Sequence, residues 1–192
     1  TDYVFDGEKG FSYIEKDTPN PINAYGITKL EGEQRVTAAD GTYLTFRTSW
    51  VYSLRQGGFV NKVLGWARQQ EVMRIVDDQV GSPTWARMLA QASAQVIAQG
   101  GKDFMDYLHQ HRGLYHLGGA GAASRYEWAK AVIEFDPQKK EQVVKQILPA
   151  KTADFPNAAR RPVNSALDCS LFESTFGVHI PFWMVSIVLI EN

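Results

Sequence analysis

The run Thr42–Tyr52 (TYLTFRTSWVY) constrains the fold more than any other part of the chain. It is filled with β-branched and aromatic residues and reads as a buried strand. Helical patterns flank it on both sides. Upstream, the pattern turns helical from Asn23, with Tyr25, Lys29, Glu33 and Val36 at helical spacings, and Asp40-Gly41 closes it. Downstream, Phe59–Gln70 repeats apolar residues at Val60, Val63, Leu64 and Ala67. Strands alternating with helices imply an α/β fold with a parallel sheet.

The rest of the chain continues that alternation. Thr1–Phe5 reads as a strand, and the polar stretch Glu8–Pro21 as a loop of the active-site type. Met73–Val76 is a short strand, Asp77–Thr84 a loop and Trp85–Gln99 a helix. Gly113–Leu117 follows as a strand and Ser124–Glu134 as a helix with Ser124 as its cap. Val143–Ile147 fits a short strand or helix, Pro156–Asp168 a loop and Ser170–Phe176 a last helix. We expect residues 1–52 to be the later part of a Rossmann-like parallel sheet. Residues 53–192 would then form mainly a smaller α/β substrate-binding lobe, with segments returning to the sheet.

Composition narrows the function classes. With 20 Lys+Arg against 21 Asp+Glu in 192 residues, the net charge of -1 argues against nucleic acid or an acidic membrane as the main partner. The single cysteine, Cys169, rules out an intrachain disulfide framework or a Cys-rich zinc site and fits a reducing cytoplasm. Its neighbourhood in sequence offers no basic partner for a nucleophile. The N-terminal TDYVFDG lacks a signal-peptide layout, and the longest apolar run, Trp183–Ile190, is too short to span a bilayer. His109, His111, His116 and His179 show no metal-ligand spacing, so no metal site is expected, and His116 reads as a packed strand residue.

Chemistry concentrates at Tyr25 and Lys29, four apart on one helix face. A phenol with a pKa of about 10 serves poorly as an acid-base group at neutral pH unless an adjacent cation favours the phenolate. Lys29 can supply that cation, and Tyr25 can then give a proton to a carbonyl oxygen under reduction. Alone, such a pair is most often a solvated helix face.

Six phrases place it in context: TDYVFDG (1–7), NAYGITKLEGE (23–33), RTSWVY (47–52), VDDQVGSPT (76–84), YHLGG (115–119) and RRPVNSALD (160–168). In these the chain resembles the extended short-chain dehydrogenase/reductases, and within them the dTDP-4-dehydrorhamnose reductase family. The resemblance implies an NAD(P)-dependent reduction of the C4 ketone of dTDP-4-dehydro-L-rhamnose in cytoplasmic nucleotide-sugar synthesis. Thr1, Tyr25 and Lys29 would be catalytic. Tyr25, Lys29 and Ser49 would meet the cofactor, NADPH or NADH. Tyr3, Trp50, Gln79 and Arg161 would bind the substrate, with the sugar against aromatic faces and the pyrophosphate on a guanidinium.

The match has departures. Ser53 and Gly58-Phe59 stand where the family has Gly and an Asn-Phe pair. The family also opens with a strand and a Gly-rich turn that cradle the cofactor pyrophosphate. With nothing before Thr1, the expectation is that about a hundred residues of a Rossmann domain are missing. The segment alone should then be inactive, bind cofactor weakly and pair with another copy as a homodimer through its open sheet edge.

The Gly-rich stretch Leu117–Ser124 mimics a dinucleotide fingerprint but reads as a tight strand-helix turn. Asp77-Asp78 reads as solvated or capping, and Trp66, Trp85 and Trp128 as packing. Two rival readings are another nucleotide-sugar epimerase, dehydratase or reductase, and a non-catalytic protein like the regulatory subunit of methionine adenosyltransferase.

Overall fold

The structure is a computed structural model, and it describes residues 1–55 and 57–188. Helix α1 (Ala24–Ala38) leads into β1 (Leu44–Arg47) and β2 (Val51–Tyr52), then α2 (Phe59–Ala67), β3 (Val72–Val76), β4 (Val80–Gly81) and β5 (Thr84–Trp85). There follow α3 (Ala86–Gly100), α4 (Phe104–Gln110), β6 (Gly113–His116), β7 (Ala123–Ser124), α5 (Arg125–Glu134), β8 (Gln146–Ala150), α6 (Ser170–Phe176) and α7 (Trp183–Val188). The α/β class is as read from the sequence, because β1–β6, β2–β5 and β3–β8 all pair in parallel. Only β4–β7 is antiparallel.

Local chemistry explains most boundaries. The Asn23 side chain accepts from the Gly26 N–H and starts α1. Ser124 and Glu127 form a reciprocal capping box at the start of α5. Gly177, in the left-handed region at φ 61°, ends α6.

Three readings need correction. Thr1–Phe5 is not a strand: Asp2–Val4 forms a 3-10 turn capped by Thr1. Its β-like residues enter the core, but the Asp2 carboxylate turns inward to meet Ser49 and Ser165 and bends the backbone. Thr42–Tyr52 is not one strand. Trp50 takes a left-handed backbone, φ 42°, which ends β1 and starts β2 in a new direction. The strand expected near Val143–Ile147 runs later, Gln146–Ala150, because Val143 and Val144 give their N–H groups to the Ala67 carbonyl at the end of α2.

Two apolar cores result. One gathers Val4, Phe5, Tyr13, Leu117 and Phe172 with Met88, Ala92 and Val96 of α3. The other gathers Val63, Met73, Ile75 and Trp128 around α2, β3 and α5. Trp50 packs against the second core just where the chain leaves the first. His116 is fully buried in the first core, with its ring edge-on to Phe5 and Nδ1 3.0 Å from the Tyr13 carbonyl. Burial lowers its pKa to about 4, so it is neutral and packed.

Candidate active site

Helix α1 carries Tyr25 and Lys29, the candidate pair, on its exposed side. Tyr25 is 53% exposed, and the Lys29 ammonium lies 5.6 Å from the centre of its ring. Gly26 is the helix's only fully buried position, and a Cβ there would come 2.1 Å from the Tyr3 carbonyl oxygen. That close approach explains the glycine in YGITK, and it brings the Tyr25 ring edge-on to Tyr3, with centroids 5.9 Å apart. One turn beyond Lys29, Glu33 accepts a forked hydrogen bond from Arg47 of β1, at 3.0 and 2.7 Å. Glycine contact and ion pair together fix how α1 presents Tyr25 and Lys29.

Behind this face lies a knot of buried oxygen atoms. Asp2, 3% exposed, accepts from the hydroxyls of Ser49 (2.9 Å), Ser165 (2.6 Å) and Thr1 (3.2 Å). Burial raises its pKa, against the hydrogen bonds that favour the anion. The Ser49 oxygen also accepts from the Ser82 N–H, so its hydroxyl braces the 82–84 loop from inside. Thr1 sits at the rim of the knot, whereas Ser49 lies within it and does not join the exposed pair.

On the other side opens a cavity of about 730 Å³, walled by Phe59, Trp66, Phe155, Gln79, Arg125 and Arg161 among others. Lys62, Arg74 and Arg160 also line it, and among the described residues no Asp or Glu does. Trp66, expected only to pack, is half-buried and serves both the second core and this wall. Gln79 donates to Thr152 Oγ1 at 3.0 Å, Asp78 accepts from the Thr152 N–H and hydroxyl and so caps a turn, and Asp77 pairs with Lys151. Gly81 leaves room for the Trp50 indole, since a Cβ there would lie 2.5 Å from Trp50 Cε2.

Two contacts join helix and cavity. Asn23 Nδ2 donates to the Arg160 carbonyl at 2.9 Å, and Tyr3 faces the Arg125 guanidinium, which lies over the Trp50 ring. Gln79 and Arg161 thus line the cavity, and Tyr3 and Trp50 meet its wall through Arg125. Arg125 was missed in the sequence because it reads there as an ordinary first helical residue. The only signal was its place in the helix-opening turn after the glycine-rich stretch.

That stretch is structural: a Cβ at Gly119 would lie 2.1 Å from the Pro83 carbonyl oxygen, and its N–H donates to Thr84 Oγ1. Cys169 is buried, its thiol pushed up to about 12 by burial, so it stays protonated. No group of metal-ligating side chains occurs among the described residues, and no helix among them is long and apolar enough to cross a membrane.

Against known proteins, the profile described as the RmlD substrate binding domain matches residues 1–190. The chain belongs to this family. A dTDP-4-dehydrorhamnose reductase of Burkholderia thailandensis is 39% identical over 98% of the chain and 64% of its own length. The crystal structure of a dTDP-4-dehydrorhamnose reductase from Clostridium acetobutylicum superposes with a TM-score of 0.85 at 33% identity, over 99% of this chain and 62% of that one. One from Bacillus anthracis, solved in complex with NADP, gives 0.83 at 30% identity, over 100% and 63%. The chain therefore spans a little under two thirds of the length of these relatives.

Proposed function

We propose that this chain carries the nucleotide-sugar site and the proton donor of a cytoplasmic reductase. The enzyme converts the C4 ketone of dTDP-4-dehydro-L-rhamnose to the alcohol of dTDP-L-rhamnose. One observation carries the reading: the exposed Tyr25–Lys29 face is tied through Asn23 and Tyr3 to an aromatic-walled, acid-free, basic cavity. The family's relatives bear the name of this activity, and the B. anthracis relative is solved with NADP, which supports NADPH.

The residues fit the nicotinamide end of such a cofactor, because Lys29 is exposed and forms no ion pair among the described residues. When bound, the reduced nicotinamide supplies a hydride to C4. Lys29, whose ammonium lies 5.6 Å from the centre of the Tyr25 ring, would hold the adjoining ribose hydroxyls. The Tyr25 phenol gives its proton to the carbonyl oxygen as that oxygen gains negative charge. Thr1 hydrogen-bonds the same oxygen and keeps it in line with the phenol. Ser49 acts from behind, bracing Asp2 and the 82–84 loop rather than touching ligand. Gln79 and Arg161 hold the nucleotide end, and Tyr3 and Trp50 flank the sugar. In this reading the first core is the remainder of the Rossmann layer and the second is the substrate lobe.

The test is NADPH oxidation with dTDP-4-dehydro-L-rhamnose, by the polypeptide that carries this chain in its natural sequence context. Turnover on that sugar and not on a UDP-linked 4-ketosugar is expected. Preference for the UDP sugar contradicts the assignment.

A further inference from the structure

Arg125 is a half-buried cation that the fold leaves without an ion-pair partner among the described residues. Its backbone N–H is held by the Gln79 carbonyl at 3.1 Å, which fixes the start of α5 at the cavity wall. Its guanidinium carbon lies 3.5 Å from the centre of the Trp50 ring and 4.9 Å from that of Phe59. It forms no ion pair among the described residues, whereas Arg47, Arg68, Arg74 and Arg112 each do. The nearest like charge is Arg161, on the same cavity. Burial first, and Arg161 after it, lowers the Arg125 pKa to about 10, so the group is still cationic at neutral pH.

Isolated charges are rarely buried at a surface that offers them nothing, because desolvation is costly. A guanidinium lying flat on an indole has its face occupied and presents its N–H groups in plane; the Tyr3 phenol takes part of that set for Arg125, and the rest is the arrangement that receives oxyanions. Arg125 and the exposed Arg161, two guanidiniums on a cavity whose described lining holds no carboxylate, suit a ligand with negative oxygens on adjacent centres.

We infer that Arg125 and Arg161 form a clamp for the diphosphate of the nucleotide-sugar, with Arg125 the arm at the Trp50 end. This rests on the nucleotide-sugar reading above. It adds a binding residue that the sequence pattern did not indicate.

The experiment is calorimetric titration of the polypeptide that carries this chain in its natural sequence context with dTDP, thymidine and inorganic pyrophosphate, together with melting curves, for the unaltered protein, Arg125→Gln and Arg125→Lys. Arg125→Gln should weaken dTDP and pyrophosphate by about 10- to 100-fold and leave thymidine unchanged, as expected for losing charge-assisted bonds to phosphate. Arg125→Lys should recover little, because an ammonium lacks the flat face and the fork. Melting should be unchanged or raised in Arg125→Gln, since an unpaired desolvated charge is removed; a merely structural arginine would lower it.

Unchanged dTDP affinity in Arg125→Gln overturns the clamp and leaves the nucleotide-sugar reading standing. So does an equal loss of thymidine, or a fall in melting temperature with loss of all ligands. Arg125-dependent pyrophosphate binding without dTDP binding supports the clamp and contradicts the dTDP assignment. Binding of neither overturns both.

Discussion

Arg47 and Arg125 are both drawn out of water, and the chain treats them in opposite ways. Arg47 is 4% exposed, lies beside the Phe5 ring and has Glu33 across from it in a forked bond. Arg125 lies on Trp50 and has no ion-pair partner among the described residues. The first pair ties strand to helix, so that the side chains of α1 stand at a fixed place. The second is a charge without a structural counterweight, at the edge of a cavity large enough for a ligand. A paired buried charge therefore reads here as architecture, and an unpaired one as a binding group.

The comparison can be broken at its structural end first. Glu33→Gln strands the Arg47 guanidinium in the interior, and we expect it to destabilise the chain by about 3 kcal/mol, measured by urea unfolding. A loss of a few tenths would mean that water or another group already serves Arg47. Turnover should fall with it, because α1 loses one of its two anchors.

An effect of similar size concerns another buried titratable group of this core. His116 has its pKa lowered from 6.5 to about 4 by burial, so the unfolded chain binds a proton before the folded one does. Stability from this source is intact above pH 6.5 and drains away as pH falls towards about 4, by about 3 kcal/mol in all. His116→Gln should flatten that part of the stability curve. The difference between the two curves isolates the imidazole from the carboxyls that titrate nearby. A parallel pair of curves would contradict the buried, neutral assignment.

How far the sequence could show this contrast differs along the chain. Helix α1 and its candidate pair were legible because the signals are local: the pattern turns helical at Asn23, and spacing places Tyr25 and Lys29 on one face; the close approach at Gly26 was not read. The break at Trp50 was not, since a tryptophan at φ 42° is held there by Gly81 and Trp128, both distant in sequence. Thr1–Phe5 misled because its β-like composition serves the core equally well in a 3-10 turn. Helix α4 escaped because it has no side-chain cap and no fully buried residue, and α7 because its apolar run lacks helical periodicity. Arg125 stayed hidden for the same reason as Trp50: its neighbours Tyr3, Trp50 and Phe59 come from three other segments.

The smallest effect on stability should accompany the largest on chemistry. Tyr25 is exposed, so Tyr25→Phe should leave the melting temperature within about a degree, as surface substitutions do. Turnover of dTDP-4-dehydro-L-rhamnose, read as NADPH oxidation, should fall by about 1,000-fold for loss of a general acid. Full turnover in Tyr25→Phe would contradict the account, because the proton would then come from another group and the exposed face of α1 would have no part in the reaction.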